Sequence, residues 1–84
     1  MTGKIILIVE DDGIIAARLH DMITRLGYTA PEPVASGEAA VAAVTAAAPD
    51  LVLMDIALAG AMNGITAAEH IRVEFDVPII YLTA

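Results

Sequence analysis

The sequence predicts an α/β domain: a parallel sheet, doubly wound, with helices on both faces. Three observations carry this. Short aliphatic, β-branched runs alternate with segments of helical periodicity, the connections between them are short, and polar residues gather where the strands end. In such sheets the crossovers are right-handed and sites form outside the carboxyl ends of the strands.

Lys4 to Val9 (KIILIV) reads as a strand buried on both faces. From Gly13 to Leu26 the period changes: Ile15, Leu19, Met22, Ile23 and Leu26 recur at steps of three and four, with Arg18, Asp21 and Arg25 between them. This is an amphipathic helix stopped by Gly27. Tyr28 to Ala35 (YTAPEPVA) is a weaker strand, confined to a sheet edge because Pro31 and Pro33 cannot donate to a ladder. Ser36 caps a second helix that runs to Ala48, with Ala40, Val41, Val44 and Ala48 as its face and Pro49 as its stop. Its alanine-rich stretch reads as close packing. Leu51 to Asp55 is a third strand, followed by a glycine-containing loop (ALAGAMNG). A helix from about Ile65 to Phe75 turns Ile65, Ala68, Ile71 and Phe75 inward; Asp76 and Pro78 break it, and Val77 to Leu82 (VPIIYL) forms a fourth strand. Residues 1–84 read as one domain without a linker.

Composition narrows the function. The chain is 58% hydrophobic, enough for a core, although a domain of 84 residues buries only about 60–65% of the surface its unfolded form exposes. Eleven acids stand against Lys4, Arg18, Arg25 and Arg72, a net charge of −7. Such a surface has little with which to neutralise phosphates, which argues against direct nucleic-acid binding. There is no cysteine, hence no disulfide and no thiolate metal site. The apolar run Ile5 to Val9 is far below the roughly 18 residues of a membrane helix and too short for a signal-peptide core, so the expectation is a soluble cytoplasmic domain without membrane partners.

The strand ends hold the functional signal. The first ends in Glu10-Asp11-Asp12, the third in Asp55 and the fourth in Thr83. Singly, an acid after a strand is usually a turn residue or a cap, a role that suits Asp12. Together, if the first and third strands are neighbours, Glu10, Asp11 and Asp55 meet at one sheet edge. Their repulsion raises pKa values or recruits a cation, and hard oxygen ligands suit Mg²⁺. A metal beside it makes Asp55 a plausible nucleophile toward phosphorus, with the Thr83 hydroxyl within reach of a phosphate oxygen.

Through "ILIVEDD", "PDLVLMDIALAGAMNG" and "VPIIYLTA" the chain resembles the receiver domain of two-component response regulators, from Lys4 to Ala84. The resemblance implies a flavodoxin-like sheet of order 2-1-3-4, the fifth strand of the family having no counterpart. It implies Asp55 as phosphoacceptor. Glu10 and Asp11 would be the acidic pair that binds Mg²⁺, Asp11 directly and Glu10 mainly through water. Ala57 would ligate the metal through its backbone carbonyl. Thr83 would be the switch hydroxyl and Ala84 would offer a backbone N–H to the phosphoryl group. The implied donors are a phosphohistidine on a sensor histidine kinase or a phosphotransfer protein, and the implied reader is an output domain or effector. Such a domain is a phosphoacceptor in signalling rather than an enzyme acting on a separate substrate.

The chain departs from the family in two places. Ala59 stands where proline is usual, in a loop one residue longer. The family's fourth helix, and its fifth strand with a site lysine and an aromatic switch partner, are absent; Lys4, the only lysine, starts the first strand. The sequence therefore reads as truncated after the fourth strand, whose open edge predicts self-association. Three alternatives compete. One is a degenerate receiver that binds partners without phosphoryl cycling. Another is a Mg²⁺-dependent phosphatase, which wants a second acid where Ala57 stands. The third is a flavin module, which wants a phosphate-binding loop after the first strand. His20 and His70 read as surface residues, Met22, Met54 and Met62 as packing or loop residues, and Tyr28 and Tyr81 have no evident catalytic partner.

Overall fold

The computed structural model describes residues 3–58 and 62–82. Its elements are β1 (Ile6–Val9), α1 (Gly13–Arg25), α2 (Gly37–Ala47), β2 (Leu51–Asp55), α3 (Gly64–Phe75) and β3 (Ile79–Leu82). The three strands are parallel in the order β1-β2-β3, with Val9 opposite Met54 and Asp55 opposite Leu82. The expected α/β architecture and its strand–helix alternation are present.

The expected second strand is reduced to two parallel bridges, Ile5 to Thr29 and Val9 to Val34, on the outer edge of β1. Thr29 and Val34 donate their N–H groups to Lys4 and Ile8 and accept from Ile6 and Glu10. Between these points Pro31 and Pro33 have no N–H to give, so pairing cannot continue. The edge position inferred from those prolines is correct, while the continuous strand is not.

Side-chain alternation divides the core. On one face α2 and α3 cover Leu7, Val9, Val52 and Met54 with Ala40, Val44, Ala67 and Ile71. On the other, α1 packs Ile23 on Ile6 and Ile8, with Leu19, Leu51 and Leu53 half-buried around them. Alanines at the α2–α3 contact let the two helices approach closely.

The caps follow local chemistry. Asp12 accepts from the N–H groups of Ile14 and Ile15, Ser36 from that of Ala39 and Asn63 from that of Thr66, each satisfying a donor at a helix start. The second helix ends one residue earlier than expected, because Ala48 is a left-handed cap at φ 47°.

Three residues expected on the inner stripe of α1 lie outside: Ile15, Met22 and Leu26, the last 69% exposed. The helix lies over β1 with Ala16 and Ile23 buried against the sheet, which leaves Ile15 and Met22 on an exposed flank. Ile65 in α3 is likewise exposed, because Ala67, Ala68 and Ile71 form the buried stripe. Among the described residues no helix is long and apolar enough to cross a membrane.

Candidate functional site

Glu10 follows the fully buried β1, and its N–H bonds the Val34 carbonyl at 2.9 Å, which extends the edge pairing one residue past the strand. The next two residues turn away into α1. Asp12 spends its side chain on the helix cap, and its own N–H donates to Glu10 Oε2 at 3.1 Å. Asp55 is the last residue of β2, on the side of the sheet that α1 covers, as alternation from Leu51 and Leu53 requires. Since Val9 pairs with Met54, Asp55 stands level with Glu10 one step beyond the paired strands. Its Oδ1 accepts the Ala57 N–H at 3.2 Å, an Asx-type turn that orients the carboxylate.

One carboxylate oxygen each from Glu10, Asp11 and Asp55 lies within 4.8 Å of the others. Glu10 is only 8% exposed, Asp55 half-buried and Asp11 exposed, so the cluster grades from core to solvent. Burial raises the Glu10 pKa above its usual 4.5; the Asp12 N–H opposes this, and the nearby Asp55 charge adds to the rise. The acids open into a cleft of about 430 Å³, walled by Ile15 and Leu19 of α1, Ala57 and Leu82. Three hard, mutually repelling oxygens at the mouth of a cleft fit a divalent cation of the Mg²⁺ type, which keeps part of its hydration.

The turn after β2 is held by the start of α3. The Ile56 carbonyl accepts both the Leu58 N–H, at 3.2 Å, and the Gly64 N–H, at 2.9 Å. Gly64 is buried against Asp55 and Ile56.

Of the residues singled out in the sequence, Glu10, Asp11, Asp55 and Ala57 are brought together. Thr83 and Ala84, together with the loop residue Ala59, lie outside the described residues. Asp12 and Asn63 serve as caps. His70 is exposed as expected, but His20 is half-buried, with its Nε2 2.9 Å from the Ala30 carbonyl, and so ties α1 to the edge segment. Gly64 escaped the sequence reading; its only signal was a glycine at a helix start, which does not reveal what lies against it.

A parallel sheet with helices on both faces places the acid triad at the carboxyl edge of its strands, where doubly wound α/β domains form their sites. The chain belongs to the response regulator receiver domain family, which residues 6–84 match. It is 40% identical over 79 residues to the transcriptional regulatory protein YrkP of Bacillus subtilis, a match covering 94% of this chain and 33% of YrkP. It is 39% identical over 79 residues to the DNA-binding response regulator MtrA of Mycobacterium tuberculosis, covering 94% of this chain and 34% of MtrA. The chain thus spans about a third of the length of the curated relatives it matches. Among solved structures, the receiver domain of PhyR from Erythrobacter litoralis superposes with a TM-score of 0.89 at 40% identity, covering 98% of this chain and 64% of that one. The signal receiver domain of a modulated diguanylate cyclase from Desulfovibrio desulfuricans gives 0.91 at 36%, covering 96% and 65%.

Proposed function

We propose that this domain receives a phosphoryl group on Asp55 from a phosphohistidine of a sensor histidine kinase or phosphotransfer protein. The observation that supports this most directly is the convergence of Glu10, Asp11 and Asp55 within 4.8 Å at the carboxyl edge of the sheet. A carboxylate oxygen of Asp55 attacks phosphorus in line with the departing imidazole nitrogen. The O–P bond forms as the P–N bond breaks, leaving an aspartyl phosphate and a histidine that takes up a proton. The Ala57 N–H on Oδ1 fixes the carboxylate for this approach. Asp11, Asp55 and the Ala57 carbonyl would hold Mg²⁺, with Glu10 acting mainly through water. The ion, when bound, supplies positive charge that offsets the carboxylates and the phosphoryl oxygens. By resemblance, Thr83 and Ala84 would contact the phosphoryl group through a hydroxyl and a backbone N–H. An output domain or effector then reads the change, in the cytoplasm, with residues 1–84 acting as one unit. In isolation the chain self-associates through the outer edge of β3, which among the described residues pairs with β2 alone.

The test is incubation with acetyl phosphate and Mg²⁺, read by intact-protein mass spectrometry. A phosphoryl adduct is expected that requires Mg²⁺ and disappears in Asp55→Asn. An adduct that survives that substitution refutes Asp55 as acceptor, and binding of a kinase without any adduct favours the degenerate receiver.

A further inference from the structure

We infer that Gly64 is a positioning residue for Asp55. The first turn of α3 is the surface against which the turn after β2 is set, and only a residue without a side chain comes close enough to serve. The inference deepens the reading of Asp55 as phosphoacceptor and rests on it.

Gly64 lies in ordinary helical backbone, so conformation alone does not demand glycine there. Space does. A Cβ at this position would overlap the Asp55 carbonyl oxygen and lie 2.8 Å from Ile56 Cα and 2.9 Å from the Asp55 carbonyl carbon. These are backbone atoms at the end of a buried strand, and no rotamer moves them aside. The contact is also bonded, through the Gly64 N–H on the Ile56 carbonyl. A second close approach holds Met62, the residue before the α3 cap. A Cβ on Gly37, the first residue of α2, would lie 2.8 Å from the Met62 carbonyl oxygen and 2.9 Å from Met62 Cγ.

The Asp55–Ile56 peptide adjoins Asp55 Cα directly. Pushing or rotating it swings the Cα–Cβ bond, carries the carboxylate away from Glu10 and Asp11, and strains the Oδ1 bond to the Ala57 N–H. A single added methyl group at 64 therefore misplaces the acceptor without removing any ligand.

The experiment compares the 84-residue chain with Gly64→Ala and with Ile71→Val, which thins the core further along α3. Mg²⁺ affinity is measured by calorimetry, and the exchange rate of the Ala57 amide is measured without metal. For Gly64→Ala, an affinity loss of about tenfold or more is expected, in line with other losses of support around metal ligands, together with faster Ala57 exchange. Ile71→Val should lower stability while leaving both readings unchanged. Native affinity and exchange in Gly64→Ala would overturn the inference. If that variant fails to fold, Asn63→Ala loosens the same turn without adding an atom, and an unchanged affinity and exchange there refutes the assignment equally. If the unsubstituted chain binds no Mg²⁺, the functional reading falls, and the metal-free Ala57 exchange alone decides the role of Gly64.

Discussion

Burial holds the Glu10 carboxyl above its usual 4.5 and the Asp55 charge adds to the rise, against the pull of the Asp12 N–H. An acid whose pKa is higher in the folded chain favours folding when protonated. Its contribution is full below 4.5, and it is lost as the pH rises through the higher folded value. At pH values above that window the burial of this acid therefore costs stability. Glu10→Gln is expected to melt above the native chain at pH 7 without metal, with the gap closing below pH 4.5; a variant that melts lower at pH 7 contradicts this. Metal offsets the same charge: Mg²⁺ at ten times its Kd should stabilise the native chain by about 1.4 kcal/mol, and Asp11→Asn much less, as thermal melts with and without the ion would show. At this scale the acids were legible because each interrupts or ends an apolar run, where a charge needs a reason. Gly64 and the His20 tether were not, since each depends on a segment distant in the chain or folded back against it, which periodicity does not encode.

Secondary-structure elements were legible where capping and periodicity agreed, as at Asp12 and Ser36, and misjudged where the outcome depended on a neighbour. The α1 stripe is the clearest case: its spacing describes a helix correctly but cannot say how much of the stripe a sheet will cover. The Tyr28 to Ala35 segment had strand composition and prolines that forbid a continuous ladder, and the prolines prevailed. Ala48 shows a local misfit. Its spacing from Val41 and Val44 predicts an inward helical residue, yet it closes α2 in the left-handed region at φ 47°, ψ 58°. A side chain there costs roughly 1–2 kcal/mol relative to glycine, part of which glycine returns through its freer unfolded chain. Ala48→Gly should therefore stabilise the domain by about 0.5–1 kcal/mol, measured as a higher urea midpoint at unchanged slope.

The molecule as a whole is unevenly covered. Among the described residues two helices pack on one face of the sheet and one on the other, and Ile80 on the thinner-covered face is 52% exposed. The general fold could be read from alternation alone, because buried parallel strands leave a continuous aliphatic signature. The uneven cover could not, since it is a property of all the elements at once. Among the described residues the outer side of β3 pairs with no strand, and under the proposed self-association sedimentation of the 84-residue chain at micromolar concentrations is expected to show a dimer. Ile80→Lys should return it to the monomer, because a charged edge resists strand pairing; a native chain that stays monomeric removes the proposal.

The two margins of the sheet differ in what they can offer another chain. Beyond β1 lies the segment held at Thr29 and Val34, whose Pro31 and Pro33 present no N–H outward. Strand addition on that side would lack those two donors, whereas among the described residues the outer side of β3 carries no proline. Under the proposed self-association through β3, the expected contact is like to like about a twofold axis, which uses both margins at once. Under that proposal the expected end point is a dimer rather than a fibre, with the prolines of the edge segment contributing to the limit.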